Sequence, residues 1–123
     1  MPAATVTVNV AHTWTDSKMY HVYGTMTFSA AADTYTSGGI PVSLALPRVK
    51  ASRPPVKIEV NSRTGSGYNY VFVPGTTIAN GLLKIQVGGA AVSSPAADIA
   101  AAAIGAPVFN DVVEFEALFL ALL

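Results

Sequence analysis

Chemistry needs side chains that ionise, coordinate or attack, and this chain carries few of them. His12 and His21 are its only histidines, and Asp16 lies close to both in sequence. Imidazole and carboxylate are metal ligands, but this spacing fits no compact ligand motif. His12 and Asp16 are expected in a turn and His21 on a polar strand face, so a structural role outweighs a metal trio. Glu114 and Glu116 stand two apart on an expected strand and so share a face. Paired carboxylates can do acid–base work or hold a hard cation, yet a solvated or salt-bridged strand face explains them more simply. Thr64-Gly65-Ser66-Gly67 is glycine-rich, but it lacks the spacing of a phosphate loop and is flanked by strands, with no helix following. It reads as a hairpin turn. Serines and threonines are plentiful, but none has a base with an orienting third group, and no G-x-S-x-G elbow occurs. No catalytic, cofactor-binding or metal-binding residue is assigned, and an enzyme is not expected.

Residues suited to contact are better represented. Arg48, Lys50, Arg53, Lys57 and Arg63 are five of the seven basic residues, and Glu59 is the only acid among them. The plainer reading is a solvated loop with scattered cations. The alternative is a docking loop for an acidic partner, stiffened by Pro54-Pro55 so that less entropy is lost on binding. A nucleic-acid role is not expected, because aromatics are not interleaved with the charges and net charge is zero. Trp14 is either a core plug under a loop or an interface anchor. The end of the chain, Phe115 to Leu123, is too apolar to lie bare, and Leu118, Leu120 and Leu122 fall on the glutamate face. The candidate interface is therefore Trp14, Arg48, Lys50, Arg53, Lys57, Leu118, Leu120 and Leu122.

The elements that position these residues follow a period of two. Thr5–Val10 alternates Thr or Asn with Val. In Met19–Ser29, Tyr20, Val22, Gly24, Met26 and Phe28 share a face. Val56, Ile58 and Val60 oppose Lys57, Glu59 and Asn61, and Leu83, Ile85 and Val87 oppose Lys84 and Gln86. Val113, Phe115, Ala117 and Phe119 oppose the two glutamates. Tyr68–Val73 is aromatic and β-branched on both faces, which predicts a strand buried on both sides. The strands at Val56, Tyr68 and Leu82 are expected to form a meander, with the first and last strands neighbours near a sheet edge. Ala90–Ala106 holds nine alanines. It is either a short helix through Ala100–Ala103, capped by Ser93, Ser94 or Asp98, or a small-residue loop.

These signals predict an all-β fold, a single domain over residues 1–123 of β-sandwich or jelly-roll type, with at most one short Ala-rich helix. Only 11% of the 123 residues are charged and 51% are apolar, against about 25% charged in ordinary soluble domains. A chain this short has little interior in which to hide that apolar surface, so part of it is expected to be covered by another protein. Cysteine is absent, which excludes disulfides and thiolate chemistry. No signal peptide is read at the N-terminus, and no apolar run approaches the ~20 residues of a spanning helix.

Several stretches together carry a family resemblance. They are Thr5–Val10 with His12-Thr13-Trp14-Thr15-Asp16, Tyr20–Phe28 leading to Thr36-Ser37-Gly38-Gly39-Ile40, Tyr68–Thr77 with Asn80–Ile85, and Val112–Leu120. In order and texture the chain resembles the head decoration, or cement, proteins of tailed bacteriophages. The resemblance implies a structural protein of the virion, made in the host cytoplasm. It would sit on the outer capsid as a dimer or trimer and bridge subunits of the major capsid protein, with no nucleic-acid or membrane partner. The rival readings are a tail, fibre or head–tail connector subunit, and a carbohydrate-binding module in which Tyr20, Tyr23, Tyr68, Tyr70 and Trp14 stack on sugars.

Overall fold

The structure, a computed structural model, describes residues 2–16, 18–65, 67–87, 97–99 and 102–120. Among the described residues eight strands run in the order β1 (Val6–Asp16), β2 (Met19–Phe28), β3 (Ile40–Val42), β4 (Lys57–Ser62), β5 (Asn69–Val73), β6 (Gly81–Val87), β7 (Ala97–Asp98) and β8 (Val113–Leu120). A single helical turn, α1 (Ala106–Phe109), precedes β8. The strands make two antiparallel sheets. The larger has the order β1-β2-β8-β4; the smaller has the order β3-β6-β5, with β7 paired to β6.

Alternation decides which faces are buried. On β2, Tyr20, Val22, Gly24, Met26 and Phe28 are buried and the intervening residues are only partly so. On β8, Val113, Phe115, Ala117 and Phe119 turn inward while Glu114, Glu116, Leu118 and Leu120 turn outward. Ile40, Val42, Tyr70, Phe72, Leu83 and Ile85 of the smaller sheet join them in one hydrophobic cluster. Each large side chain buried this way contributes about 1.5–3 kcal/mol. Within each sheet, glycines also allow close approach of neighbouring strands. A Cβ at Gly24 would collide with the Asn9 carbonyl oxygen, and one at Gly81 would strike the ring of Phe72.

Several sequence expectations are overturned. The meander is split, because β4 pairs with β8 in the larger sheet while β5 pairs with β6 in the smaller. The connection from β4 to β5 therefore passes between sheets as an arch, not as the hairpin expected at Arg63–Gly67. The first and last strands share a sheet, but β2 lies between them. β5 is not buried on both faces: Val71 and Val73 are 40% and 38% exposed, because β5 ends its sheet. Val56 and Val87 are also exposed, lying just outside β4 and at the end of β6. His12 and Asp16 lie within β1, not in a turn. The expected helix at Ala100–Ala103 falls partly outside the described residues. Of that stretch, Ala102 is in a bend and Ala103 bridges Thr34.

Asp111 explains the split. It is 1% exposed. Its Oδ1 accepts from the Thr64 N–H at 3.2 Å and the Thr64 hydroxyl at 2.7 Å; its Oδ2 accepts from the Ser62 hydroxyl and, at 2.9 Å, from the Tyr70 hydroxyl. The carboxylate thus ties the end of β4, the arch and the inner side of β5 to the start of β8. Such bonds contribute to stability, and here they hold the two sheets together where the chain passes from one to the other.

Candidate interaction face

The outward face of the larger sheet is built row by row from its register. One row runs His12–Tyr23–Glu116–Glu59 and the next Trp14–His21–Leu118–Lys57. Beyond it Asp16 and Leu120 flank Met19. His12 and Trp14 reach this face only because β1 is irregular. The pairing steps from Val10↔Gly24 to His12↔Tyr23, so Ala11 is an extra residue. Such a bulge reverses the alternation beyond it. Before it Val6, Val8 and Val10 point inward; after it His12, Trp14 and Asp16 point outward.

Trp14 is therefore no core plug. It is 43% exposed, and its indole stacks on the His21 imidazole at 4.7 Å between centroids and 6° between planes. A pair of this kind contributes about 0.5–1.5 kcal/mol beyond its buried area. The stack also shelters His21 Nδ1, which is buried without a hydrogen-bond partner among the described residues. His12 stacks more loosely on Tyr23 at 6.4 Å. Leu120 is 50% exposed and Leu118 half-buried, so Trp14, Leu118, Leu120 and Lys57 meet on one surface. Leu122 lies outside the described residues.

Arg48 is placed elsewhere, and for a different task. Its guanidinium donates to the Val10 and Ala11 carbonyls at the bulge, and its own carbonyl accepts from the Tyr20 hydroxyl at 3.0 Å. It covers backbone oxygens that the bulge leaves open, a role that its position in a basic loop does not signal. Lys50 and Arg53 are exposed on the same loop. They form no salt bridge among the described residues, and neither does Lys18 or Lys84. Lys57 pairs in solvent with Glu59 at 3.3 Å.

The other end of the face is polar. Glu114 accepts from Arg63 Nε and from the Tyr23 hydroxyl, both at 2.8 Å. The Arg63 hydrogen bond, with a smaller contribution from Tyr23, holds the Glu114 carboxyl below the usual carboxylate range; the same bond raises Arg63 further. β8 is a central strand, so the glutamates lie mid-sheet. Glu116 sits directly opposite Glu59, a like-charge placement that favours neither. Among the described residues no three His, Cys, Asp or Glu side chains gather as a metal-binding group. Tyr20 and Tyr70 are buried with their hydroxyls engaged, so neither offers a ring face for a sugar. Asp111 was not marked by sequence reasoning, since an acid between a helical turn and a strand looks like any turn residue.

The arrangement is suited to binding: it presents an aromatic and leucine surface edged by Lys57, and at the polar end Glu114 is already engaged by Arg63 and Tyr23. Comparison of the chain with protein-family models, with curated proteins and with solved structures finds no match.

Proposed function

We propose that this chain is a structural protein of a tailed-phage virion that decorates the outer capsid by binding the major capsid protein and bridging its subunits. In this reading it has no catalytic role, and its two sheets form a β-sandwich of the jelly-roll kind. The observation that carries the proposal is the joining of Trp14, Leu118, Leu120 and Lys57 on one outward face of a chain only 11% charged. Aromatic and aliphatic anchors of this sort dominate the energy of protein interfaces. A cement protein works by summing many such modest contacts over a shell, so that avidity raises the barrier to rupture. The order and texture of the strands, from Thr5–Val10 to Val112–Leu120, support the same assignment.

Sedimentation of purified protein with undecorated phage shells tests it. Saturable binding that Leu120→Lys removes, with the fold retained by circular dichroism, is the expected result. No binding at any shell concentration overturns the proposal.

A further inference from the structure

No Asp or Glu occurs between Asp33 and Glu59, and Arg48, Lys50, Arg53 and Lys57 all fall in that interval. A formal net charge of zero thus hides charges that are segregated along the chain. Lys57 is paired with Glu59. Arg48, Lys50 and Arg53 are exposed and have no carboxylate partner among the described residues.

The fold pins the stretch that carries these cations. Pro47 and Arg48 form the apex of a turn closed by the Val49 N–H on the Leu46 carbonyl at 3.0 Å, and proline suits the first apex position. The Val49 side chain is buried in the core. The Tyr20 hydroxyl donates to the Arg48 carbonyl at 3.0 Å and accepts from the Lys50 N–H at 3.2 Å. Past Pro54-Pro55, the Val56 N–H donates to the Leu118 carbonyl at 2.8 Å. Cations carried on an ordered backbone lose less entropy on binding than cations on a mobile loop. Beside the turn lies a cleft of about 320 Å³. Val8 and Val10 of β1 and Leu46 and Pro47 of the turn give it apolar walls, and Arg48 brings a charge to its lining. Val8 and Val10 point inward, so the cleft is separate from the face that carries Trp14.

We infer that the cleft and the cations together take an acidic segment of a partner protein, with one apolar side chain seated between Val10 and Leu46 and carboxylates against Arg48, Lys50 and Arg53. Arg48 spends N–H donors on the Val10 and Ala11 carbonyls and keeps others free. The union of an apolar slot with unneutralised cations selects the chemistry. A nucleic acid would satisfy the cations and leave the cleft empty; an apolar peptide would do the reverse. A second copy fits poorly, because its Glu59 and Glu114 are already paired and lie on the face of a sheet. Opposite charge speeds encounter and rejects wrong partners, while the buried anchor slows departure.

The inference does not depend on the capsid assignment and is tested without shells. The probe is a fluorescein-labelled peptide of aspartate and glutamate with a single central leucine, titrated with the purified full chain and followed by anisotropy. Saturable binding is expected, and it weakens about tenfold between low and high salt. Lys50→Glu combined with Arg53→Glu lowers the affinity about tenfold or more, because like charges then face each other. Neither side chain forms a salt bridge among the described residues, so circular dichroism serves as the control for the fold. Replacing the leucine of the peptide by serine weakens binding about tenfold, the worth of one buried aliphatic side chain. A labelled DNA duplex binds at least tenfold less tightly than the peptide, since it has no anchor for the cleft. A peptide that stays unbound at about millimolar protein overturns the inference. So does a charge-reversed variant that binds unchanged, a serine peptide that binds as well as the leucine one, or a duplex that binds as tightly as the peptide.

Discussion

β4 and β8 run side by side, and the two ends of that pair behave differently. At the Arg63 end the polar groups are partnered. Asp111 is enclosed by Ser62, Thr64 and Tyr70, and above it Glu114 is held by Arg63 and Tyr23. At the Leu120 end β8 carries Leu118 and Leu120 outward, with Trp14 two strands away on β1, and Trp14 and Leu120 stay 43% and 50% exposed. One end satisfies its groups within the molecule. The other leaves apolar surface whose transfer from water is still to be gained, at roughly 25 cal/mol per Å². The difference separates residues that hold the fold from residues available to a partner.

Substitutions can break that division or sharpen it. Asp111→Ala is expected to have the largest effect, a loss of about 3 kcal/mol in thermal or denaturant unfolding, because buried donors from Ser62, Thr64 and Tyr70 lose their acceptor. If the variant unfolds as the wild type does, the arch has some other anchor. At the opposite end, Trp14→Asp is expected to cost only about 1 kcal/mol of stability, the value of the stack on His21. The same change lowers shell affinity about 30-fold or more. Equal loss of stability and affinity would erase the distinction between the two ends. Glu114→Gln should give the smallest effect, and it depends on pH. The folded carboxyl titrates below its unfolded value, so its contribution is fully present above the unfolded value and fades as pH falls through the lower folded one. Melting curves of variant and wild type should therefore differ at neutral pH and converge in acid. A difference that persists in acid assigns the effect to packing.

Much of this was legible in the residues. The inward faces of β2 and β8 follow directly from alternation, because a strand buried on one side has room for little else. The sharing of one face by Glu114, Glu116, Leu118 and Leu120 follows from the same rule. What was hidden depends on distant partners. Arg63–Gly67 has the composition of a hairpin, and only Asp111, more than forty residues away, turns it into an arch. The exposure of Val71 and Val73 depends on strand order, which alternation does not encode. The position of Trp14 depends on Ala11, in a stretch where Ala, His and Thr give no polarity signal to mark a change of phase.

That extra alanine has a further consequence. Excising Ala11 alone would join Val10 directly to His12 and let the pairing run evenly from Val10↔Gly24 to His12↔Tyr23, so His12, Trp14 and Asp16 would keep their outward side. The irregular carbonyls that seat the Arg48 guanidinium would be lost instead. A one-codon deletion would thus leave the adhesive surface standing and unmoor the loop that now clasps the strand behind it.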